Sequence, residues 1–141
     1  MIEVSVLGAT GMVGQRFVEL LTDHPFFKIK ALFASEKRKG EKYGETVQWF
    51  LSGDVPESVR DIRLSILSDS VQTKIVFSAL PSSVAGEVET KLAENGHYVF
   101  SNASAHRYDR FVPIIVPEVN PEHFAAVDFQ RTKGFIVTNP N

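Results

Sequence analysis

Gly8-Ala9-Thr10-Gly11-Met12-Val13-Gly14 is the stretch on which the fold of this chain turns. Ile2 to Leu7, just before it, alternates apolar residues in the manner of a strand, and Val13, Phe17, Leu20 and Leu21, just after it, recur at helical spacing. The reading is strand, tight glycine turn, helix. Glycine has physical work to do in such a turn. Without a Cβ it takes positive φ freely, lets the backbone approach a pyrophosphate, and lets the helix pack closely on the strand. The helix that begins there offers unpaired N–H groups and the positive end of its dipole to an anion. The spacing is G-x-x-G-x-x-G and not the commoner G-x-G-x-x-G, so the strand before and the helix after carry the reading as much as the glycines do. A tight structural turn with no ligand is the competing interpretation.

The 141 residues suffice for one domain with a real core, and a net charge of -2 gives no general attraction to nucleic acid or to an anionic membrane. The absence of cysteine excludes a disulfide framework, a thiolate metal site and a thiol nucleophile within these residues. His24, His97, His106 and His123 are far apart and form no metal-ligand motif, so no metal site is expected. No basic segment precedes an apolar leader and no apolar run approaches the roughly 20 residues of a membrane span, which sets a cytoplasmic protein as the expectation. The apolar run Phe135 to Val137 followed by Thr138-Asn139-Pro140-Asn141 is expected to be the edge of a longer protein, because a strand read as buried stands so close to the end.

Along the chain, the patterns predict strands at Ile2–Leu7, Ile29–Ala34, Ile62–Ile66, Ile75–Ala79, Tyr98–Phe100 and Phe135–Val137. Helices are expected from Val13 to Asp23, ended by Pro25, and over Val84, Val88 and Leu92, closed by Asn95-Gly96. A third is expected from Asn120-Pro121, read as cap and first helical residue, to Gln130. Tyr43 to Leu51 reads as a short helix or an irregular packed segment. Strands alternating with helices at this spacing predict an α/β fold: a Rossmann-type, doubly wound, mostly parallel sheet with a glycine-rich dinucleotide-binding turn, all of 1–141 forming one NAD(P)-binding domain.

In such sheets the ligand lies beyond the carboxyl ends of the strands. The small and polar loops fall there: Gly8–Gly14, Ser35–Lys39, Ser78–Ser83 and Ser101–Arg107. Glu36, near the spacing of the acidic residue that holds ribose hydroxyls, favours NAD. Ser35 with Lys37, Arg38 and Lys39 favours NADP, since a 2'-phosphate takes a hydroxyl and cationic donors. The balance is toward NADP.

Ser101-Asn102-Ala103-Ser104-Ala105-His106-Arg107, Pro117-Glu118-Val119-Asn120 and Asn139-Pro140-Asn141, taken with the glycine turn and Ser35-Glu36-Lys37, resemble the N-terminal part of aspartate-semialdehyde dehydrogenase of the archaeal or fungal type. The resemblance covers essentially the whole chain, with the motifs in order. It implies NADPH-dependent reduction of 4-aspartyl phosphate to aspartate 4-semialdehyde, or the reverse oxidation with phosphate. That step belongs to lysine, methionine and threonine biosynthesis. It also implies that Gly8, Thr10, Gly11, Met12, Val13 and Gly14 hold the pyrophosphate, that Ser35 with Lys37 or Arg38 holds the 2'-phosphate, and that Ser78, Leu80 and Ser82 lie near the cofactor ribose. Arg107 matches the arginine that holds the substrate phosphate or inorganic phosphate, with Arg110 close by as an alternative. Asn141 matches the asparagine just before the family's catalytic cysteine, so no catalytic residue is expected within this chain. The implied chemistry of the full protein is covalent: a thiolate attacks the carbonyl, hydride passes to NADP, and phosphate cleaves the acyl-thioester. The chain alone is expected to be inactive, and the full protein to be a homodimer or homotetramer.

Two other readings stay open. Malonyl-CoA or succinyl-CoA reductase resembles this family in fold and thioester chemistry, although Asn-Ala-Ser and Asn-Pro-Asn fit the semialdehyde enzyme better. A non-catalytic NADP-binding regulatory module would also suit a chain without a nucleophile.

Overall fold

A computed structural model describes residues 1–141, which divide into two compact units, Met1–Thr73 and Lys74–Asn141. The first unit contains β1 (Ile2–Leu7), α1 (Met12–Leu21), β2 (Phe27–Ala34), a one-turn α2 (Tyr43–Thr46) and β3 (Ser65–Ile66). Its strands run in the order β3-β2-β1, every pair parallel. The register of β1 on β2 shifts by one residue between Val4 and Ser5. Val4, Val6 and Leu7 are fully buried, as are Leu32 and, on α1, Val18. Each such side chain contributes roughly 1.5–3 kcal/mol of hydrophobic stabilisation. α1 packs on β1 and β2, but not through the stripe expected from the sequence. Its buried residues are Gly14, Gln15, Val18 and Leu21, whereas Val13 and Leu20 are exposed and Phe17 is half-buried. Gly14 must face the turn, which rotates the neighbouring apolar positions outward.

The second unit contains β4 (Ile75–Ser78), α3 (Ser82–Glu94), β5 (Tyr98–Ser101) and β6 (Phe135–Thr138), with strand order β4-β5-β6 and every pair parallel. Ala93 of α3 packs with Val99 and Ile136, flanked by Leu92 and Val112. The helix stops at Gly96, whose φ is +94°. Gly96 N–H donates to Ala93 O and His97 N–H to Leu92 O, the paired bonds of a Schellman end. Parallel strands flanked by helices make this the Rossmann-type α/β fold. No helix is long and apolar enough to cross a membrane.

Two further sequence expectations are corrected. Ile62–Ile66 is a strand only at Ser65–Ile66. Ahead of it, Tyr43 N–H donates to Ile62 O and Leu64 N–H to Glu41 O, so the backbone of 62–64 pairs with the loop after β2 in place of β2 itself. The buried alternation of Leu64 and Ile66 survives, which is why the pattern looked like a longer strand. Residues Pro121–Phe129 form a 3-10 helix with no buried residue, not an α-helix. Apolar residues crowd Phe124 to Val127 without 3.6-residue spacing, so no single face could seat an α-helix. Asn120 does not cap it: its amide donates to Ile114 O and accepts from Val116 N–H, tying down the preceding loop.

Candidate functional site

In the first unit, β1 delivers the chain to Gly8, which turns at φ +74°. Gly8 and Ala9 N–H groups both donate to Phe33 O, at 3.1 and 3.0 Å, so the turn is pinned to the end of β2. Gly11 caps α1 with no side-chain hydrogen bond, and no acidic residue stands in the first helical turn. The first rung of the helix is Gln15 N–H to Gly11 O, which leaves the amides of Met12, Val13 and Gly14 ahead of it. Gly11, Met12 and Val13 are exposed. A Cβ on Gly14 would lie 1.9 Å from Gly8 O, whereas one on Gly11 would meet nothing nearer than 3.7 Å. The two glycines therefore serve different ends. Gly14 seats the helix on the turn, and Gly11 keeps the outer face open. A donor-rich cradle without a carboxylate fits a pyrophosphate.

Behind the turn the backbone carbonyls are occupied. The Tyr43 hydroxyl donates to Ala9 O at 2.7 Å, and burial pushes its phenol up from the ordinary value, so it stays a donor. Gln15 Nε2 donates to Thr10 O and to Gln48 O, at 3.0 and 2.8 Å, while its Oε1 accepts Phe50 N–H at 2.8 Å. Both side chains are fully buried. Sequence reasoning missed this pair. Gln15 sits where a helix presents a polar residue to solvent, and only a segment more than thirty residues away turns that position inward.

After β2, Ser35 is exposed and precedes a 3-10 turn at Glu36–Arg38. The neighbouring cations differ. Arg38 Nη1 donates to Thr46 O at 3.0 Å and to Thr46 Oγ1 at 2.7 Å, with Glu41 at 4.0 Å. Lys39 pairs with Asp69 at 3.0 Å and Lys42 with Asp61 at 3.2 Å. The Ile66 N–H and Lys39 hold the Asp69 carboxyl below the usual range. Lys37 is exposed and makes no such contact, and Glu36 is also exposed.

In the second unit, Ser78 ends β4 with its hydroxyl buried and unpartnered. Leu80 is nearly buried, and Ser82 Oγ lies 2.7 Å from Ser104 Oγ. Arg107 is half-buried and held at two points: Nε donates to Asn139 O at 3.0 Å and Nη2 to Asn102 O at 3.1 Å. Asn139 Nδ2 donates to Asn102 Oδ1 at 2.6 Å. The guanidinium thus belongs to a joint between the loop after β5 and the segment after β6. It is not paired with Asp109, whose carboxylate lies 2.6 Å from His106 Nδ1. Arg110 is exposed and lies over the Phe111 ring at 5.2 Å, and Asn141 is exposed. Beside Arg107 opens a cleft of about 890 Å³ lined by Val112, Ile114, Val116, Phe129 and Pro140 among others.

Two titratable groups behind this loop were not anticipated. Glu89 on α3 is fully buried; Ser101 Oγ donates to its Oε2 at 2.6 Å, while its Oε1 has no partner. Burial pushes its pKa up, against the hydroxyls of Ser101 and Ser78 and the charge of His106, which pull it down. His106 places Nδ1 against the Asp109 carboxylate and Nε2 against Gly86 O at 3.0 Å. The Thr90 hydroxyl also lies 3.2 Å from Nε2. Burial alone would lower the His106 pKa, but the Asp109 and Gly86 hydrogen bonds and the charges of Asp109 and Glu89 raise it.

Residues 3–127 match the family model described as semialdehyde dehydrogenase, NAD binding domain. The chain is 53% identical to the aspartate-semialdehyde dehydrogenase of Archaeoglobus fulgidus over 98% of its own length and 42% of that protein. It is 43% identical to the malonyl CoA reductase (NADP) of Metallosphaera sedula over 99% of its length and 40% of that protein. The crystal structure of aspartate semialdehyde dehydrogenase with NADP from Candida albicans superposes with a TM-score of 0.91 at 38% identity, covering 99% of this chain and 42% of that one. The chain thus spans about two fifths of the length of the curated relatives it matches.

Proposed function

Because the chain belongs to the semialdehyde dehydrogenase family, as its NAD-binding domain, we propose that it is the cofactor-binding part of an NADP-dependent aspartate-semialdehyde dehydrogenase, acting on aspartyl phosphate in one direction and on aspartate semialdehyde with phosphate in the other. The observation that carries this reading is the amino end of α1. It is open, free of carboxylate and unobstructed by side chain at Gly11, with the carbonyls behind it engaged by Tyr43 and Gln15. NADP, when bound, accepts a hydride or, reduced, returns one.

The residues of this chain bind and orient. Gly8, Thr10, Gly11, Met12, Val13 and Gly14 form the pyrophosphate cradle. Ser35 and Lys37 take the 2'-phosphate; Lys37 suits the task better than Arg38, whose guanidinium is engaged by Thr46. Ser78, Leu80 and Ser82 border the ribose. Arg107 presents its remaining donors to the phosphate that enters or leaves. Its two carbonyl anchors fix the plane of the fork, and Asn141 stands two residues beyond the Asn139 anchor. With no cysteine among the 141 residues, the thiol nucleophile of the reaction belongs to a part of the enzyme outside them. The full enzyme is a cytoplasmic homodimer or homotetramer in this reading.

The malonyl-CoA reductase match keeps a second substrate class in view, an acyl-CoA in place of an acyl phosphate. In both readings the cofactor site is the same, and Arg107 would face a free phosphate group only in the first. Titration calorimetry with NADP and NAD on the parent and on Lys37→Ala tests the cofactor assignment. NADP should bind more tightly than NAD, and the variant should lose about tenfold in NADP affinity alone, the loss of one charge-assisted contact. Equal affinities in the parent would return the site to Glu36 and NAD.

A further inference from the structure

Glu89 is a carboxylic acid sealed in the layer between α3 and β5, with Oε1 unpartnered and no exposure. Isolated carboxyl groups are costly to bury, so its placement calls for a reason. Its contacts lead in one direction. Ser101 Oγ donates to Glu89 Oε2 at 2.6 Å and accepts the Ala103 N–H at 3.0 Å. A hydroxyl with its proton committed to the carboxylate presents its lone pairs to that amide, so the acid fixes the direction of both bonds. The chain between Ser101 and Ala103 is Asn102, which the Ser78 carbonyl holds by its N–H at 2.9 Å. Asn102 O is one of the two anchors of Arg107, and Asn102 Oδ1 holds Asn139, whose carbonyl is the other.

From this relay we infer that Glu89 is a positioning residue for the Arg107 anion site, setting the guanidinium through Ser101 and Asn102 without touching the ligand. The inference rests on the reading of Arg107 as the phosphate-binding arginine. It assigns α3, whose remaining buried residues are alanines, a part in phosphate recognition through a side chain with no surface. Glutamine in place of Glu89 keeps the shape of the side chain and an acceptor for Ser101. Leucine keeps the bulk and removes the relay.

The test is an inorganic phosphate titration of the chain followed by the Arg107 Nε–Hε resonance, with NADP affinity measured in parallel as a control on the first unit. The parent and Glu89→Gln should bind phosphate alike. Glu89→Leu and Ser101→Ala should lose about tenfold in phosphate affinity, the loss of one well-placed contact, with NADP affinity within about twofold of the parent. Ser101→Ala removes only a hydroxyl and remains informative if Glu89→Leu does not fold. A parent Arg107 signal indifferent to phosphate overturns the anion-site reading, and this inference with it. A parent that responds, together with a Ser101→Ala variant of unchanged phosphate affinity, overturns the role of Glu89 alone. Failure of Glu89→Gln to match the parent does the same.

Discussion

Substituting alanine at Gly14 and at Gly11 separates the two roles within the glycine turn. At Gly14 the new methyl would stand 1.9 Å from Gly8 O, 2.7 Å from Gly8 C and 2.8 Å from Ala9 Cα. All three are backbone atoms, and the Ala9 carbonyl is further fixed by Tyr43. The contact can open only if α1 moves off the turn by more than an ångström, which strips packing from Val18 and Leu21 against the strands. Overpacking of this kind costs about 1–3 kcal/mol and more when rigid atoms are struck, against a gain of about 1 kcal/mol from replacing a helical glycine. Because the struck atoms are rigid backbone, the cost lies at or above the top of that range. The net expectation is destabilisation by about 2 kcal/mol or more, a fall in Tm of at least about 5 °C for a chain of this size. At Gly11 the methyl meets its nearest atom at 3.7 Å and φ is -79°, so alanine fits. Only the poorer cap is felt, about 1 kcal/mol or less, but the methyl stands on the open face and should weaken NADP binding. Differential scanning calorimetry and cofactor titration of both variants provide the assay. A Gly14→Ala chain melting within about 2 °C of the parent would refute the packing argument, and a Gly11→Ala chain with undiminished NADP affinity would refute the assignment of the open face.

Three further outcomes are expected. Tyr43→Phe leaves the buried Ala9 carbonyl without its donor and should cost about 1–3 kcal/mol in urea unfolding; a loss below about 0.5 kcal/mol would show that this bond contributes nothing net. Because the His106 pKa is raised in the fold, its contribution is complete below the unfolded value near 6.5 and declines as pH rises through the folded value. Unfolding measured across this range should show stability falling with pH, and Asp109→Asn should flatten that slope; an unchanged slope would remove His106 as its source. In an active enzyme containing this chain, Arg107→Lys should slow phosphate-dependent turnover by about ten- to a hundredfold, since one ammonium cannot span the Asn102 and Asn139 carbonyls and still face an anion. Steady-state kinetics at varied phosphate, with Arg110→Lys as the comparison, would reveal an anion site displaced to Arg110 by the opposite ranking.

The elements legible in the sequence are those whose apolar spacing and local turn chemistry agree. Ile2–Leu7 and the glycine turn follow from alternation and the positive φ of Gly8. α1 was legible as a helix, but its buried face was not, since Gly14, Gln15 and Val18 turn inward in place of Val13, Phe17 and Leu20. The end of α3 follows from Asn95-Gly96. The segment at Ile62–Leu64 was misjudged because alternating burial records only which side chains face inward, not which backbone they pair with. Asn120-Pro121 carries the residues of a helix start, yet the Asn120 amide finds better partners in the loop ahead of it. Buried polar residues were the least legible. Gln15, Tyr43 and Glu89 look like an ordinary surface or core position until a distant segment supplies their hydrogen bonds. The partners of Arg107 were equally hidden: the Asn102 and Asn139 carbonyls that hold it come from segments more than thirty residues apart, which no local spacing announces.

The fastening of the glycine turn reaches well beyond the turn itself. The turn is a local motif, seven residues long and flanked by contiguous elements, and its backbone can bend as soon as β1 and α1 exist. Yet Ala9 O waits for Tyr43, and Thr10 O for a glutamine whose other partners are Gln48 and Phe50. Closing a loop of that length costs entropy that the local bonds do not return. The fastening of the turn's two carbonyls therefore depends on contacts that reach across more than thirty residues and lie behind its open face.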